Sequence, residues 1–306
     1  MTRYFSETAS VEAVNGRMSP EAETRLTEVM ASLVRHLHAF VKDVTLTEAE
    51  WETAIAFLTR TGQMCSDTRQ EFILLSDVLG VSMLVDAVNN RKPAGSTPST
   101  VFGPFHVDGV PERSMGSVIS LDGVGEPCLF EGRVVDLDGR PISDALVDVW
   151  SDNADGFYDV QQPDIQPQHN NRGVFRTGAD GRYWFTGIKP VSYPIPDDGP
   201  VGEMLGHLGR HPYRPAHMHF LVTAPGHQRL ITHTFVAGDA YLDSDAVFGV
   251  KAPLIVEFER REGAGDEPLW RAAYDFVLPP VEAVTDTRQR AALDAKKSGN
   301  RGEAKH

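Results

Sequence analysis

The chain has 306 residues, of which 41% are hydrophobic and 24% are charged, a composition ordinary for a soluble globular protein. Its net charge of −14 argues against nucleic-acid binding, because phosphates are bound by clustered Lys and Arg. No run approaches the roughly 20 apolar residues of a membrane-spanning helix, and the N-terminus lacks the apolar core of a secretory signal. The two cysteines, Cys65 and Cys128, have no metal-type spacing. We therefore expect a cytoplasmic protein with reduced thiols and no membrane insertion.

The first ninety or so residues have the periodicity of helices. Ser19 and Pro20 suit the N-cap and first turn of one helix, and Thr47 with Glu50 has the spacing of a capping box that opens a second. A third helix is predicted from about residue 67 to residue 88. These helices carry more apolar surface than they can bury against one another, so we expect them to pack on a neighbouring domain or a second copy of the chain.

A Pro- and Ser-rich linker around residues 89–100 precedes a change of pattern. From there the sequence consists of short β-rich runs separated by Gly, Pro and Asp turns, and no helix-length apolar pattern lies between the runs. The predicted fold class is therefore mostly β, with an antiparallel β-sandwich domain after an N-terminal α-helical domain. We predict three segments: residues 1–100 for the helices and linker, 101–285 for the β-sandwich, and 286–306 for a polar C-terminal tail.

Two histidines are the strongest local candidates for metal ligands. His217 and His219 fall in a predicted strand, where side chains alternate, so both imidazoles should point to one face. A His-x-His pair alone is a weak motif, and incidental surface histidines are the plain alternative. A three-histidine zinc site, as in a hydrolase, would take its third ligand from one of four other residues: His207, His211, His227 or His233.

Two tyrosines occupy positions that suit function. Tyr158 follows a predicted strand at the start of a loop, and Tyr193 is held in extended geometry by the proline after it. Their spacing is equally consistent with tyrosines that only fill the edge of the sheet.

Longer motifs carry a resemblance to a known family. The segments VDVWSDNADGFYDVQ, RTGADGRYWFTGIKPVSYPIPDDGP, LGRHPYRPAHMHF and THTFVAGDAYLDSDAVFGV resemble, in order and spacing, those of the intradiol ring-cleavage dioxygenases. The helical N-terminal region is similar to that of the catechol branch of this family. Within that branch, the segments TVFGPFHV, YPIP and YLDSDAVFGVK most resemble those of hydroxyquinol 1,2-dioxygenases.

The resemblance implies one Fe(III) per chain, bound by Tyr158, Tyr193, His217 and His219. The donor types agree with an Fe(III) site, because phenolates are hard anionic ligands and two phenolates with one hydroxide neutralise Fe(III). It also implies that the β-sandwich is a catalytic domain, which opens an aromatic 1,2-diol between its hydroxyl-bearing carbons with O2 to give a cis,cis-muconate. Tyr193 would be displaced by the diol, and Arg214 would steady the negative ring.

The resemblance further implies a set of substrate-binding residues: Leu74, Asp77, Val101, Phe102, Gly103, Pro104, Phe105, Ile195, Pro196 and His233. If Asp77 faces the ring, it can accept a hydrogen bond from the third hydroxyl of hydroxyquinol, benzene-1,2,4-triol, which would yield 3-hydroxy-cis,cis-muconate, the tautomer of maleylacetate. Catechol or chlorocatechol is the alternative substrate, and a solvated Asp77 is the alternative reading. His233 stands where catechol-type members more often have Gln, which leaves its role open.

Two expectations concern assembly and a competing class of function. We predict a homodimer formed mainly through the helices of residues 20–90, which makes residues 1–100 a dimerisation domain. The resemblance adds a phospholipid in an apolar tunnel at that interface. The competing class is a prealbumin-like β-sandwich module that binds without catalysis. That class explains the strands and turns but not the two tyrosines and two histidines together.

Overall fold

A computed structural model describes residues 4–66, 69–261 and 268–281. The chain divides into two compact units, one that ends at Gln63 and one that begins at Met64. The predicted boundary near residue 100 separates a dimerisation domain from a catalytic domain. A division into compact units does not test those roles, so this boundary stays a prediction. The predicted tail of residues 286–306 lies outside the described residues.

The first unit contains three described helices: α1 (Ser10–Asn15), α2 (Thr24–Asp43) and α3 (Glu48–Gln63). The predicted capping box at the start of α3 is confirmed, because the Thr47 amide donates to Glu50 Oε2 at 2.9 Å and the Glu50 amide to Thr47 Oγ1 at 3.3 Å. The predicted start after Ser19 is wrong. Ser19 instead caps a single turn through the Glu21 amide, and α2 begins later.

Helix α2 exposes its apolar stripe. None of its 20 residues, all of them described, is buried. Several large apolar side chains on it are between about two fifths and one half exposed: Leu26, Val29, Met30, Leu33, Leu37 and Phe40. Because these side chains recur at three- and four-residue spacing, they lie along one side of the helix.

The second unit contains α4 (Glu71–Val78), α5 (Val81–Asn89) and α6 (Pro200–His207). The single third helix predicted for this region is wrong, because Gly80 has φ 72° and turns the chain between α4 and α5. Glycine adopts this left-handed conformation without the steric cost that other residues meet. No described helix is both long enough and apolar enough to cross a membrane.

Twelve strands fall within the described residues. In chain order they are β1 (Pro127–Val135), β2 (Leu146–Trp150), β3 (Arg172–Arg176), β4 (Arg182–Ile188), β5 (Tyr193–Pro194), β6 (Tyr213–Arg214), β7 (His217–Thr223), β8 (Leu230–Val236), β9 (Ile255–Val256), β10 (Phe258–Arg260), β11 (Trp270–Ala273) and β12 (Phe276–Val277). One five-stranded sheet has the order β10-β11-β1-β12, with β4 also paired to β1. The other has the order β3-β2-β7-β8-β9, and β5 pairs with β6 alone.

The sheets are mixed, so the predicted purely antiparallel arrangement is wrong. Strand β1 pairs in parallel with β11 and β12, and β8 pairs in parallel with β9. These partners are remote in the sequence, and such pairing leaves no turn signal between the strands that could reveal its direction. The Asp180-Gly181 turn also differs from a simple hairpin, because it connects β3 in one sheet to β4 in the other.

Apolar side chains from both five-stranded sheets contribute to one cluster. The Phe175 ring of β3 stacks on Phe185 of β4 at 4.9 Å, and Phe220 of β7 meets Tyr183 of β4 at 6.4 Å. Within β7, Met218, Phe220 and Val222 all belong to this cluster. Because side chains alternate along a strand, His217 and His219 point to the opposite face of the sheet.

Candidate metal centre

Three histidines meet on that opposite face. Strands β7 and β8 are antiparallel neighbours, and their register places His233 directly across from His219. One ring nitrogen from each of His217, His219 and His233 lies within 4.8 Å of the others, and each residue is at most 1% exposed. The predicted pairing of His217 and His219 on one face is thus present, and His233 joins them. Two other histidines considered as third ligands lie elsewhere. The His211 ring forms a hydrogen bond with Ser244, and the His227 ring forms one with the Pro225 carbonyl.

Both candidate tyrosines reach the same point from separate parts of the chain, Tyr158 from a loop and Tyr193 from β5. Tyr158 directly precedes a short 3-10 turn, Asp159–Gln161, and its hydroxyl lies 2.9 Å from His219 Nε2. Tyr193 is held by the pairing of β5 with β6, and its hydroxyl lies 3.3 Å from that of Tyr158. The two side chains are almost fully buried. Oxygen and nitrogen donors from three parts of the chain therefore converge.

The spacing of these donor atoms suits one metal ion. Tyr158 Oη and His219 Nε2 are 2.9 Å apart, the two tyrosine hydroxyls 3.3 Å, and the Nε2 atoms of His217 and His219 3.2 Å. Ligands about 2.0–2.1 Å from a common ion, at angles near 90–110°, are themselves roughly 2.9–3.4 Å apart. His217 also has the required tautomer, because its Nδ1 donates to the Pro215 carbonyl at 2.7 Å and leaves Nε2 with its lone pair.

Burial controls the protonation of these groups. It lowers the pKa of His217 to about 3, helped by the nearby Arg214 charge, and it lowers the pKa of His219 and His233 well below the usual value. The imidazoles are therefore neutral, as metal ligands must be. Burial also raises the pKa of Tyr158 and Tyr193, so the phenols require a nearby cation to ionise at neutral pH.

A buried ion pair borders the histidines. Arg214 is 4% exposed, and its Nε donates to Asp245 Oδ1 at 3.1 Å. Its Nη1 donates to His217 Nε2 at 3.1 Å, and its Nη2 lies 3.5 Å from His233 Nδ1. Burial alone would raise the pKa of Asp245, but the Arg214 guanidinium and its hydrogen bonds lower it overall. The guanidinium is thus held beside the candidate ligands as a permanent positive charge.

The segment that follows residue 100 covers the ligands from one side. The Phe105 ring stacks on Tyr158 at 4.5 Å, and Phe102 meets Trp150 edge-on at 5.8 Å. Gly103 has φ 75°, and a Cβ atom there would lie 3.0 Å from His219 Cε1, which is tighter than an ordinary contact. A backbone without a side chain can therefore approach the imidazole closely.

The other predicted substrate-binding residues differ in how far they are buried. Leu74 and Asp77 are half-buried on α4, and Val101 is half-buried at the start of the covering segment. Ile195 is buried, whereas Pro104 and Pro196 are exposed. Burial raises the pKa of Asp77, a hydrogen bond from Ser82 opposes this rise, and the charges of Arg214 and Asp245 have smaller effects. The carboxyl of Asp77 is therefore electrostatically coupled to the ion pair beside the histidines.

Sequence reasoning missed two members of the site. The Trp150 ring stacks on His219 at 4.8 Å with an angle of 16° between the planes, which restricts how the imidazole can turn. The available signal in the sequence was its position at the end of a predicted strand, shortly before Tyr158, and the structure pairs it with His219. Asp245, the partner of Arg214, lies in a loop whose fold no periodicity reveals.

Breaking the buried ion pair should be costly. Asp245→Asn leaves the Arg214 charge buried and uncompensated, so we expect a loss of about 3–5 kcal/mol in the free energy of unfolding, measured by urea denaturation at pH 7. The folded-state pKa of Asp245 is below its unfolded value. Its stabilisation is therefore present above about pH 4 and is lost as the pH falls through the folded pKa.

The matched control is an exposed pair of similar geometry. Glu112 accepts two hydrogen bonds from Arg176, and both side chains are nearly half exposed. Glu112→Gln should change the unfolding free energy little, because solvent screens this pair. Equal losses for the two variants would contradict the role assigned to burial.

Comparison with known proteins places the chain in a family. Residues 103–280 match the family described as dioxygenase, and residues 23–97 match the family described as catechol dioxygenase N terminus. The hydroxyquinol 1,2-dioxygenase of a Rhizobium species is 54% identical over 90% of this chain and 96% of its own. The 6-chlorohydroxyquinol 1,2-dioxygenase of Cupriavidus pinatubonensis is 52% identical over 88% and 96%.

The fold agrees with these matches. The crystal structure of hydroxyquinol 1,2-dioxygenase from Pseudomonas putida DLL-E4 superposes with a TM-score of 0.85 at 49% identity, over 90% of this chain and 98% of that one. The buried cluster of two tyrosines and two histidines therefore lies in a chain that belongs, over most of its length, to the intradiol ring-cleavage dioxygenase family of enzymes.

Proposed function

We propose that this enzyme cleaves hydroxyquinol with O2 between its two adjacent hydroxyl-bearing carbons, as part of aromatic compound catabolism. The product is 3-hydroxy-cis,cis-muconate, the tautomer of maleylacetate, which contains every atom of the substrate and both atoms of O2. The observation that carries the proposal is the convergence of two phenols and two neutral imidazoles at one buried point. Relatives about 50% identical that are named for this substrate support the choice of diol.

The donor set favours one Fe(III) per chain, with Tyr158, Tyr193, His217 and His219 as its ligands. Two phenolates offset two of the three positive charges of such an ion, and a zinc site has no comparable use for them. When bound, the ion would hold the diol as its dianion and draw electron density from the ring. His233 is the remaining imidazole, and we assign it to the substrate side of the centre because His217 and His219 already lie beside the phenols.

The protein's own groups supply the proton and charge balance. Tyr193 lies beside Arg214, which lowers the pKa of the phenol that burial raises. As a phenolate, Tyr193 can accept one proton of the incoming diol and become a neutral phenol, and the hydroxide that would complete the charge balance of the ion can accept the other as it becomes water. A metal ion at His217 would use the lone pair that now accepts from Arg214 Nη1. The freed N–H can then donate to the negatively charged substrate.

Substrate recognition is assigned to residues around this centre. Phe102, Gly103 and Phe105 contact the ligands or the ring stacked on them, and they would form one wall of the pocket with Val101 and Pro104. We place Leu74 and Asp77 of α4, with Ile195 and Pro196, around the rest of the ring. The coupling between the charges of Asp77 and Arg214 supports this placement. Catechol and chlorocatechol remain the alternative substrates that this pocket must discriminate against.

The first prediction concerns the metal. The purified protein should contain about one iron per chain and be red-brown from tyrosinate-to-iron charge transfer. Tyr158→Phe should lose iron or most of this absorption, because it removes a phenolate ligand. Tyr183→Phe is the matched control, since Tyr183 is also fully buried but donates to the Tyr274 carbonyl within the hydrophobic cluster. Metal analysis and visible spectroscopy make the comparison.

Two outcomes would refute the iron site. Stoichiometric zinc with full activity would contradict the assignment of Fe(III). A colourless protein that binds aromatic diols without consuming O2 would favour the prealbumin-like binding module instead.

The second prediction concerns the choice of diol. Hydroxyquinol should be preferred to catechol by at least roughly tenfold in kcat/KM, because catechol cannot give the half-buried Asp77 carboxyl the hydrogen bond that the third hydroxyl would donate, a loss of about 1–3 kcal/mol. Asp77→Leu should lower kcat/KM for hydroxyquinol and spare or raise it for catechol, measured by O2 uptake. Equal losses on both diols would make Asp77 structural, and a wild-type preference for catechol would move the enzyme to the catechol branch.

We further propose that the two five-stranded sheets are the layers of a β-sandwich catalytic domain, residues 101–285, and that residues 1–100 form a dimerisation domain. The shared apolar cluster supports the sandwich. The exposed stripe of α2, together with exposed Phe72, Ile73 and Leu84 on α4 and α5, supports a homodimer with an apolar interface. A phospholipid tunnel at this interface and a cytoplasmic location complete the proposal. The two free cysteines suit a reducing compartment.

The third prediction tests the dimer. Wild-type protein at micromolar concentration should sediment as a dimer, and Leu33→Arg combined with Leu37→Arg should shift it toward monomer, because charges would be buried in the interface. Arg35→Glu, on another face of α2, should leave the dimer intact. A monomeric wild type would refute the dimer. Lipid absent after solvent extraction and mass spectrometry would refute the tunnel alone.

A further inference from the structure

Arg210 connects two parts of the second unit that are remote in sequence. Its Nη1 donates to the Val78 carbonyl, the last residue of α4, at 2.6 Å. Its Nη2 donates to the Ala246 carbonyl at 3.0 Å. One guanidinium therefore holds the carboxyl end of α4 against the loop of residues 245–249. Helix capping by a cation is favourable at this end, where carbonyl groups lack partners within the helix.

A second contact reinforces this connection. The Arg210 guanidinium lies over the Phe248 ring, 5.0 Å from its centre. The same ring faces Gly80, the turn between α4 and α5, where a Cβ atom would lie 3.5 Å from Phe248 Cδ2. Phe248 has φ 61°, a conformation that is strained for a bulky residue. Its backbone is thus held in place by the contacts of this loop rather than by local preference.

The loop of residues 245–249 also carries the anchor of Arg214. Asp245 Oδ1 accepts from Arg214 Nε at 3.1 Å and from the Val247 amide at 3.3 Å, and its Oδ2 accepts from the Gly249 amide at 2.8 Å. The loop is therefore wrapped around the carboxylate that orients Arg214. A continuous chain of contacts runs from α4 through Arg210 to the ion pair beside the histidines.

The outer side of this connection is not packed. A cavity of about 430 Å³ is lined by Arg210, Asp245 and Phe248, among other residues. None of the candidate metal ligands lines this cavity. Open space therefore borders this side of the loop of residues 245–249, and the hydrogen bonds of Arg210, together with the contact between Phe248 and Gly80, connect the loop to the end of α4.

We propose that Arg210 is a positioning residue that sets the separation between α4, with Asp77, and Arg214, and thereby controls which diol is accepted. The proposal rests on the proposed function, in which Asp77 and Arg214 contact different parts of the same ring. Arg210 itself touches neither substrate nor metal ligands. Without it, α4 can move relative to Arg214, which loosens recognition of the third hydroxyl while the four ligands keep their contacts.

The experiment compares Arg210→Gln with wild type as the iron-loaded full chain. We expect unchanged iron content and charge-transfer absorption, a KM for hydroxyquinol raised roughly tenfold, and a smaller change for catechol and for kcat, as misplacement of a binding group predicts. Arg210→Lys keeps the charge but loses the paired N–H donors of the guanidinium, so its KM for hydroxyquinol should lie between those of wild type and Arg210→Gln. Backbone amide exchange should accelerate in α4 and remain slow in β7, a readout independent of activity.

His211→Gln is the matched control, because His211 lines the same cavity but bonds to Ser244. Its KM for hydroxyquinol and its ratio of kcat/KM between the two diols should equal those of wild type. An unchanged ratio of kcat/KM between the two diols in Arg210→Gln, or equal losses on both, would overturn the proposal. If Asp77→Leu changes this ratio while Arg210→Gln does not, the proposed function stands and only the positioning role fails. If wild type prefers catechol, the proposed substrate fails, and a ratio that still shifts in Arg210→Gln supports positioning alone.

Discussion

The alternation of side chains along β7 is the constraint on which both the core and the site depend. Met218 and Phe220 enter the cluster that joins the two large sheets, so His217 and His219 must face away from it. A shift of one residue in register would place the imidazoles in the apolar cluster and turn Met218 and Phe220 toward the candidate site. The packing of the core therefore also fixes the direction of these two candidate ligands, which lie on a strand of one of the two five-stranded sheets.

Electrostatics explains why the centre requires a cation. The phenols of Tyr158 and Tyr193 are buried, and burial raises their pKa. The guanidinium that lowers the pKa of both phenols, that of Arg214, is already paired with Asp245. A trivalent ion would ionise both phenols and leave the imidazoles neutral, which is the state that burial imposes on them. Burial and metal binding thus both favour neutral histidines. For the tyrosines they differ, because burial favours the protonated phenol and a metal ion favours the phenolate.

The residue pattern alone predicted the parts of this structure that depend on short-range chemistry. The capping box at Thr47 and the shared face of His217 and His219 follow from local spacing. The direction of strand pairing could not be predicted from local spacing, because β1 pairs with segments remote in the sequence. The break at Gly80 was hidden by apolar residues on both sides. The meeting of Tyr158 with Tyr193 could be anticipated only from longer motifs, since a loop and a short strand that are separate in the sequence bring them together.

The proposed reaction inserts O2 into the diol ring at this buried cluster. Reaction of the iron-loaded enzyme with hydroxyquinol under ¹⁸O₂, followed by mass spectrometry of the product, tests it most directly. We expect 3-hydroxy-cis,cis-muconate or its tautomer maleylacetate, with both labelled atoms in the same molecule and one in each new carboxyl group. A product without label, or one cleaved beside the diol rather than between its hydroxyl-bearing carbons, would contradict it.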